Sequence, residues 1–340
     1  MHKSVVITQL QLERWLKKQW QVLNVWTLLL SPLSAVFWLI VKLRKLLYQF
    51  GLFSSTKLVV PVIVVGNITV GGTGKTPLVI WLVTALREQG FKPAVISRGF
   101  GVNIKTVQEV LLVGDATDVG DEPLLIKRRA NCPVFVGKNR VNVGLALLKQ
   151  YPEIDVIVSD DGLQHYALKR DVEIAVVDGV RGLGNHFLLP AGPLREPVTR
   201  LQCVDTVVVN GVIGSSFVVN KTINMQLAGQ TLVNIRSQKT MPVLDILGKK
   251  IHAIAGIGNP NRFFDALKKL GLRVEQTAFA DHHSYVAADF ANIQADYVLM
   301  TEKDAVKCRA FAKDNWWYLP VSAEVDNALI DAILNKLQKI

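Results

Sequence analysis

The sequence is short of cysteine, free of repeats and almost without acid at its amino end. Only three cysteines (Cys132, Cys203, Cys308) occur in 340 residues, at wide and unrelated spacings. An odd, scattered set excludes a disulfide framework and gives no zinc pattern, so a reducing compartment is expected. Low-complexity tracts and internal repeats are missing, which sets aside fibrous and solenoid architectures. Acid is nearly lacking over residues 1–57, where Glu13 stands alone against eight basic residues. The whole chain carries a net charge of +11, and the residues beyond 57 contribute little of it. A nucleic-acid partner would need its positive charge on the folded lobes, so none is expected.

What is present begins with an apolar segment. Residues 19–41 carry no charge, Lys17 and Lys18 precede them, and Lys42, Arg44 and Lys45 follow. The length suffices to cross a bilayer core of ~30 Å. No small-residue cleavage site follows, so the segment is not a secretory signal. Trp15, Trp20, Trp26 and Trp38 fall in or beside it, and tryptophan favours the membrane–water interface. A spanning helix, an interfacial helix and a buried soluble helix all compete here. Asn24, Ser31, Pro32 and Ser34 dilute the run, and Pro32 is placed to kink or break a helix. An interfacial or shallow anchor is the favoured expectation.

Short apolar runs then alternate with helical stretches, which indicates an α/β fold with a parallel sheet covered on both faces. The expected divisions are a membrane-associating segment (1–50), a larger α/β core (51–212), a β linker (213–250) and a smaller α/β lobe with a C-terminal helix (251–340). Ligands in such sheets sit at the carboxyl ends of the strands.

The strongest motif is GNITVGGTGKT at residues 66–76, between a strand and a helix. Its backbone N–H groups and the helix N-terminus make an anion cradle. The usual phosphate loop has glycine where Thr69 stands, so the match is to the GGxGK[ST] variant: Gly71, Gly72, Thr73, Gly74, Lys75, Thr76. Lys75 is suited to the β and γ phosphates of ATP, and Thr76 to Mg²⁺. Asp160 and Asp161 end an apolar strand, where a metal carboxylate is expected. Asp178 ends another, and there a turn is as good an explanation. Asp121 and Glu122 precede a helix and suit a cap as well as chemistry. Gln164 and His165 follow the aspartates and suit hydroxyl or phosphate oxygens. Arg195 and Glu196 lie in a Pro/Gly-rich loop, Arg98 and Arg140 are lone candidates for anions, and an Asp281–His282–His283 run marks the second lobe.

Together, VVGNITVGGTGKTP, SRGFG, GDEP, SDDGLQH, RDVEIAVVDG, LPAGPLREP, AGIGNPNRFF, ADHHS and MTEKDAVKCRAFA resemble the tetraacyldisaccharide 4′-kinases, the lipid A 4′-kinases of Gram-negative bacteria. The resemblance runs in order from about residue 60 to 321. Phe100 stands where that family more often has tyrosine. The resemblance implies a P-loop NTPase-type fold and transfer of the ATP γ-phosphoryl group to the 4′-hydroxyl of tetraacyldisaccharide 1-phosphate. It implies Asp121 as base for the sugar hydroxyl, assisted by His282, with His283 a bystander. Lys75 and Thr76 would hold phosphate and Mg²⁺. Asp160, Asp161 and Glu196 would be magnesium- and nucleotide-orienting acids, with Glu122, Gln164, His165, Arg98 and Arg140 around the acceptor. It places the protein at the cytoplasmic face of the inner membrane, with a glycolipid substrate and no protein partner evident. The competing expectation is a membrane-bound P-loop switch ATPase. Such proteins often carry a second lysine before the two glycines, where this chain has Val70.

Overall fold

The apolar runs fold as buried strands because helices cover both their faces. In the computed structural model, which describes residues 15–16, 18–212 and 222–339, two sheets form. Lys3, Arg14, Lys17 and the opening of the expected linker (213–221) lie outside the described residues.

The first sheet contains β1 (Val62–Gly66), β2 (Pro93–Ser97), β3 (Gln108–Glu109), β4 (Val134–Val136), β5 (Val156–Asp160), β6 (Val172–Asp178), β7 (Thr206–Asn210) and β8 (Thr222–Ala228). The second contains β9 (Thr231–Asn234), β10 (Thr240–Pro242), β11 (Ile251–Ala255), β12 (Val274–Ala278), β13 (Tyr297–Thr301) and β14 (Trp316–Leu319). A last strand, β15 (Ser322–Val325), returns to the first sheet, whose order is β15-β8-β7-β6-β1-β5-β2-β4-β3. Only its outer pairs, β15 with β8 and β3 with β4, are antiparallel. Strand alternation sends Ile63 and Val65 into one core layer and Val62 and Val64 into the other.

The helices are α1 (Val25–Gln49), α2 (Lys75–Glu88), α3 (Ala116–Val119), α4 (Asp121–Ala130), α5 (Arg140–Gln150), α6 (Pro260–Lys269), α7 (Glu302–Cys308) and α8 (Ala328–Leu337). Two expected divisions change. β8, expected in a linker, pairs in parallel with β7 as part of the first sheet. β15 and α8, expected in the second lobe, belong to the first: Leu329, Ile330 and Ile333 join the core layer of Leu78, Leu82 and Leu86. The cause is the antiparallel pairing of Ser322–Val325 with Met225–Ala228, which carries the chain back across.

Pro32 does not break α1, which runs 25 residues without interruption. Proline removes the N–H that would reach the Leu28 carbonyl. The Ser31 hydroxyl donates to that carbonyl instead, at 2.8 Å. The polar positions of α1 face the protein. Thr27 and Ser34 are buried, Ala191 N donates to Ser34 Oγ, and Ser34 Oγ donates to the Leu188 carbonyl at 2.7 Å. Asn185 Nδ2 donates to Thr27 Oγ1 at 3.2 Å. Just before the helix, Trp20 Nε1 donates to the Pro190 carbonyl. Leu28, Leu29, Leu33, Val36, Leu39, Ile40 and Leu43 face outward and are exposed. The helix is therefore amphipathic in reverse, polar against protein and apolar toward its surroundings.

Candidate active site

The loop between β1 and α2 wraps at the carboxyl end of the central strand. Gly71 and Gly74 take φ of +99° and +95°, a region that a Cβ disfavours. The 188–195 loop braces it from outside: Val70 N donates to the Pro193 carbonyl, and Arg195 N donates to the Ile68 carbonyl at 2.7 Å. Gln164 supports it from beneath through a bond to the Asn67 carbonyl at 3.0 Å. From the second lobe, Gly258 packs so closely on Gly72 that a Cβ there would lie 2.5 Å from the Gly72 nitrogen.

Lys75 opens α2, and its Nζ lies 3.4 Å from Asp161 Oδ1. Arg195 also pairs with Asp161, at 3.2 Å. Burial raises the Asp161 carboxyl, but Lys75 and Arg195 more than offset it and hold it down to about 2. Parallel pairing sets Asp160 opposite Val65, beside the loop. Asp160 is buried; its Oδ2 accepts from Ser97 Oγ at 3.3 Å, and its Oδ1 has no hydrogen-bond partner. Burial, then the neighbouring Glu122 and Asp161, push its carboxyl up to about 7. The two adjacent aspartates are thus driven apart by their surroundings.

The other expected residues separate. Arg140 is buried and donates to the carbonyls of Asp160 and Asp161, so it fixes the strand end rather than standing open to an anion. Arg98 is exposed beside Phe100, Asn103 and Lys138, around a cleft of about 410 Å³. Burial and the positive field of Arg140 and Arg170 push the His165 imidazole down to about 4. Glu196, expected to orient the nucleotide, is buried elsewhere, accepting from Tyr166 Oη and pairing with Arg200 Nε, both at 3.0 Å. Its Oε1 is unpartnered, and its described contacts do not include Lys75 or Thr76.

Asp121 and His282 come together across the lobes. Asp121 begins α4, where the helix N-terminus favours a carboxylate. His282 sits in the loop after β12, with its Nδ1 at 3.0 and 3.1 Å from the two Asp121 oxygens. The Phe100 ring packs against the imidazole, centroids 5.0 Å apart. His283 instead pairs with Asp289, at 3.0 Å.

Sequence reasoning missed two lysines here. Lys303 and Lys307 project from α7 onto this pair, at 3.9 and 3.7 Å from Asp121 Oδ2. Their four-residue spacing puts both on one helix face, a signal available in MTEKDAVKC. It also missed a tie between the lobes. Asp178 pairs with Arg181 at 3.0 Å and with Arg262 of α6 at 3.6 Å. Arg262 also bonds Asn210 Oδ1, and Asn210 Nδ2 donates to the Thr73 carbonyl at 2.8 Å. Arg181 bonds the Gly72 carbonyl. The phosphate loop is thereby tied to Arg262 of the second lobe by two routes, through Asn210 and through Arg181 with Asp178.

Comparison with known proteins adds the following. A family model described as tetraacyldisaccharide-1-P 4′-kinase matches residues 26–338. A tetraacyldisaccharide 4′-kinase of Methylobacillus flagellatus is 50% identical over 331 residues, covering 96% of this chain and 97% of that one. The protein of the same description from a Janthinobacterium species is 48% identical, covering 96% of each chain. The crystal structure of "apo" form LpxK from Aquifex aeolicus in complex with ATP superposes with a TM-score of 0.75 at 29% identity, covering 92% of this chain and 99% of that one.

Proposed function

The chain belongs to the tetraacyldisaccharide-1-P 4′-kinase family, and on that premise we propose that it phosphorylates the 4′-hydroxyl of tetraacyldisaccharide 1-phosphate, with ATP as donor, in lipid A biosynthesis. The observation that carries the mechanism is the Asp121–His282 pair, held between the lobes at 3.0 Å. Phosphoryl transfer needs positioning and charge stabilisation more than covalent chemistry. The phosphate loop and Lys75 hold the phosphates, and Lys75 leaves Asp161 for them as they arrive. Asp121 takes the hydroxyl proton while the sugar oxygen bonds to the γ-phosphorus. The bond from that phosphorus to the β–γ bridging oxygen breaks, and ADP leaves with the electron pair. Glu122, next in sequence to Asp121, and the exposed Arg98, in the cleft beside Phe100, are the groups offered to the sugar.

Magnesium fits the residues present. Thr76 and Asp160 would hold it, and the unpartnered buried Oδ1 of Asp160 has the character of an unused ligand. Among the described residues no group of three or more His, Cys, Asp or Glu forms a cage, which suits an ion that takes most of its ligands from phosphates and water. When bound, the ion would offset the negative charge between the β and γ phosphates.

The deciding assay follows ³²P from ATP to tetraacyldisaccharide 1-phosphate in detergent. Transfer is expected, and ATP hydrolysis without transfer would favour a switch ATPase.

The exposed apolar face of α1, a helix with a mean hydropathy of 1.7 over an 18-residue window, supports seating in the cytoplasmic leaflet of the inner membrane, on the side that supplies ATP. The polar inner face, bound to the 185–191 loop, supports a helix lying at the interface rather than crossing alone. Glutamates replacing Leu29, Leu33 and Val36 should move the protein from the membrane to the soluble fraction, read by flotation. Unchanged flotation would remove this face from the membrane contact.

A further inference from the structure

Lys303 is one of the most heavily engaged cations among the described residues, and the transfer step itself leaves it without a role. It projects from the first turn of α7, largely shielded from solvent. Its Nζ lies 3.1 Å from Glu122 Oε1, 3.2 Å from Asp281 Oδ1 and 3.4 Å from His282 Nε2. Surface lysines seldom converge on four groups, because ordering the side chain costs more entropy than one exposed ion pair returns.

The contact with His282 carries chemical information. An ammonium has three donors and no acceptor. Facing it at hydrogen-bond distance, Nε2 of the imidazole accepts; the Asp281 carboxylate is also on this side of the ring, but its Oδ1 lies 3.8 Å from Nε2, too far to take a proton from it in a hydrogen bond. The ring proton is then on Nδ1, directed at Asp121. Lys307 completes the surroundings from one turn on, pairing with Asp121 and, at 3.0 Å, with Asp304. The charged groups facing Asp121 are therefore His282 from the loop after β12 and the two lysines from α7. Asp281 faces both Lys303 and His282, Glu122 faces Lys303, and Asp304 faces Lys307.

The geometry assigns Lys303 as a positioning residue: it fixes His282 as the tautomer that donates through Nδ1 and, with Lys307, keeps Asp121 a free carboxylate for the sugar hydroxyl. The assignment rests on Asp121 being the base. It adds that the second lobe supplies the field that makes the base usable as well as a partner for it. Burial alone would raise the Asp121 carboxyl; the His282 hydrogen bond and then the lysine charges hold it down to about 2.

The test uses full-length protein labelled with ¹⁵N-histidine, with His282→Gln identifying its signal. Wild type at neutral pH should show the Nδ1-protonated tautomer, and an Nε2-protonated ring in wild type would overturn the assignment without any variant. Lys303→Met should populate the Nε2–H form and lower kcat by roughly 10-fold or more, with KM for ATP unchanged. The acid limb of its kcat profile should move to higher pH, and Lys303→Arg, which keeps the charge, should move it less. A folded Lys303→Met with wild-type tautomer and an unmoved acid limb sinks the assignment, even where kcat falls. Failure of the base itself reads differently: Asp121→Asn would keep its kcat, whatever the tautomer of His282.

Discussion

Asp121→Asn should lower kcat by roughly 10²- to 10⁴-fold, the range for removing a positioned general base, while ATP binds within about twofold of wild type. The two readouts separate because the described hydrogen bonds and ion pairs of Asp121 run to His282, Lys303 and Lys307 and do not include the phosphate loop. Near-wild-type kcat would remove Asp121 from the chemistry. The substitution should also reduce stability. The Asp121 carboxyl is held below its unfolded value, so its contribution is present above pH ~4 and is lost as pH falls toward 2. At pH 7 the asparagine variant should therefore melt lower than wild type, and the difference should shrink on acidification. A gap that stays constant down to pH 3 would mean the carboxylate charge is not its source.

Asp160→Asn is expected to do the reverse to stability. In the protein without metal or nucleotide, a buried carboxylate with an unpartnered oxygen opposes folding once ionised. Its folded value is raised to about 7, so stability is greatest below pH ~4 and is lost as pH rises through 7. Asparagine removes that charge. The variant should melt several degrees above wild type at pH 8, an order-of-magnitude expectation, and nearly level with it at pH 4. It should also lose magnesium-dependent transfer by on the order of 10²-fold or more. A variant that melts no higher at pH 8, or that keeps its turnover, would free Asp160 of this role. Together the two aspartates separate acids stabilised by their neighbours from one destabilised in readiness for a ligand.

The phosphate loop was legible because its chemistry is contiguous: eleven residues carry the cradle, the cation and the hydroxyl. The central strands were legible for the same reason, as runs of valine and isoleucine. The Asp121–His282 pair, 161 positions apart, came only through family resemblance, since no local pattern links them. Lys303 and Lys307 required the docking of α7 on α4, a long-range contact. Ser31 and Ser34 misled: they weaken an apolar run counted linearly, yet with Asn24 and Thr27 they form one helical face, at spacings of three and four. β15 is four residues long and has only one buried side chain, so its return to the first sheet leaves little trace in the sequence.

That return sets an order of events. The second lobe is one continuous stretch from β9 to β14, complete before β15 begins. The nucleotide lobe is not. Its edge strand and the helix that covers the phosphate-loop helix come only after the whole of the second lobe. During synthesis the smaller lobe has all its parts while the larger, begun first, still waits for β15 and α8 to close its core.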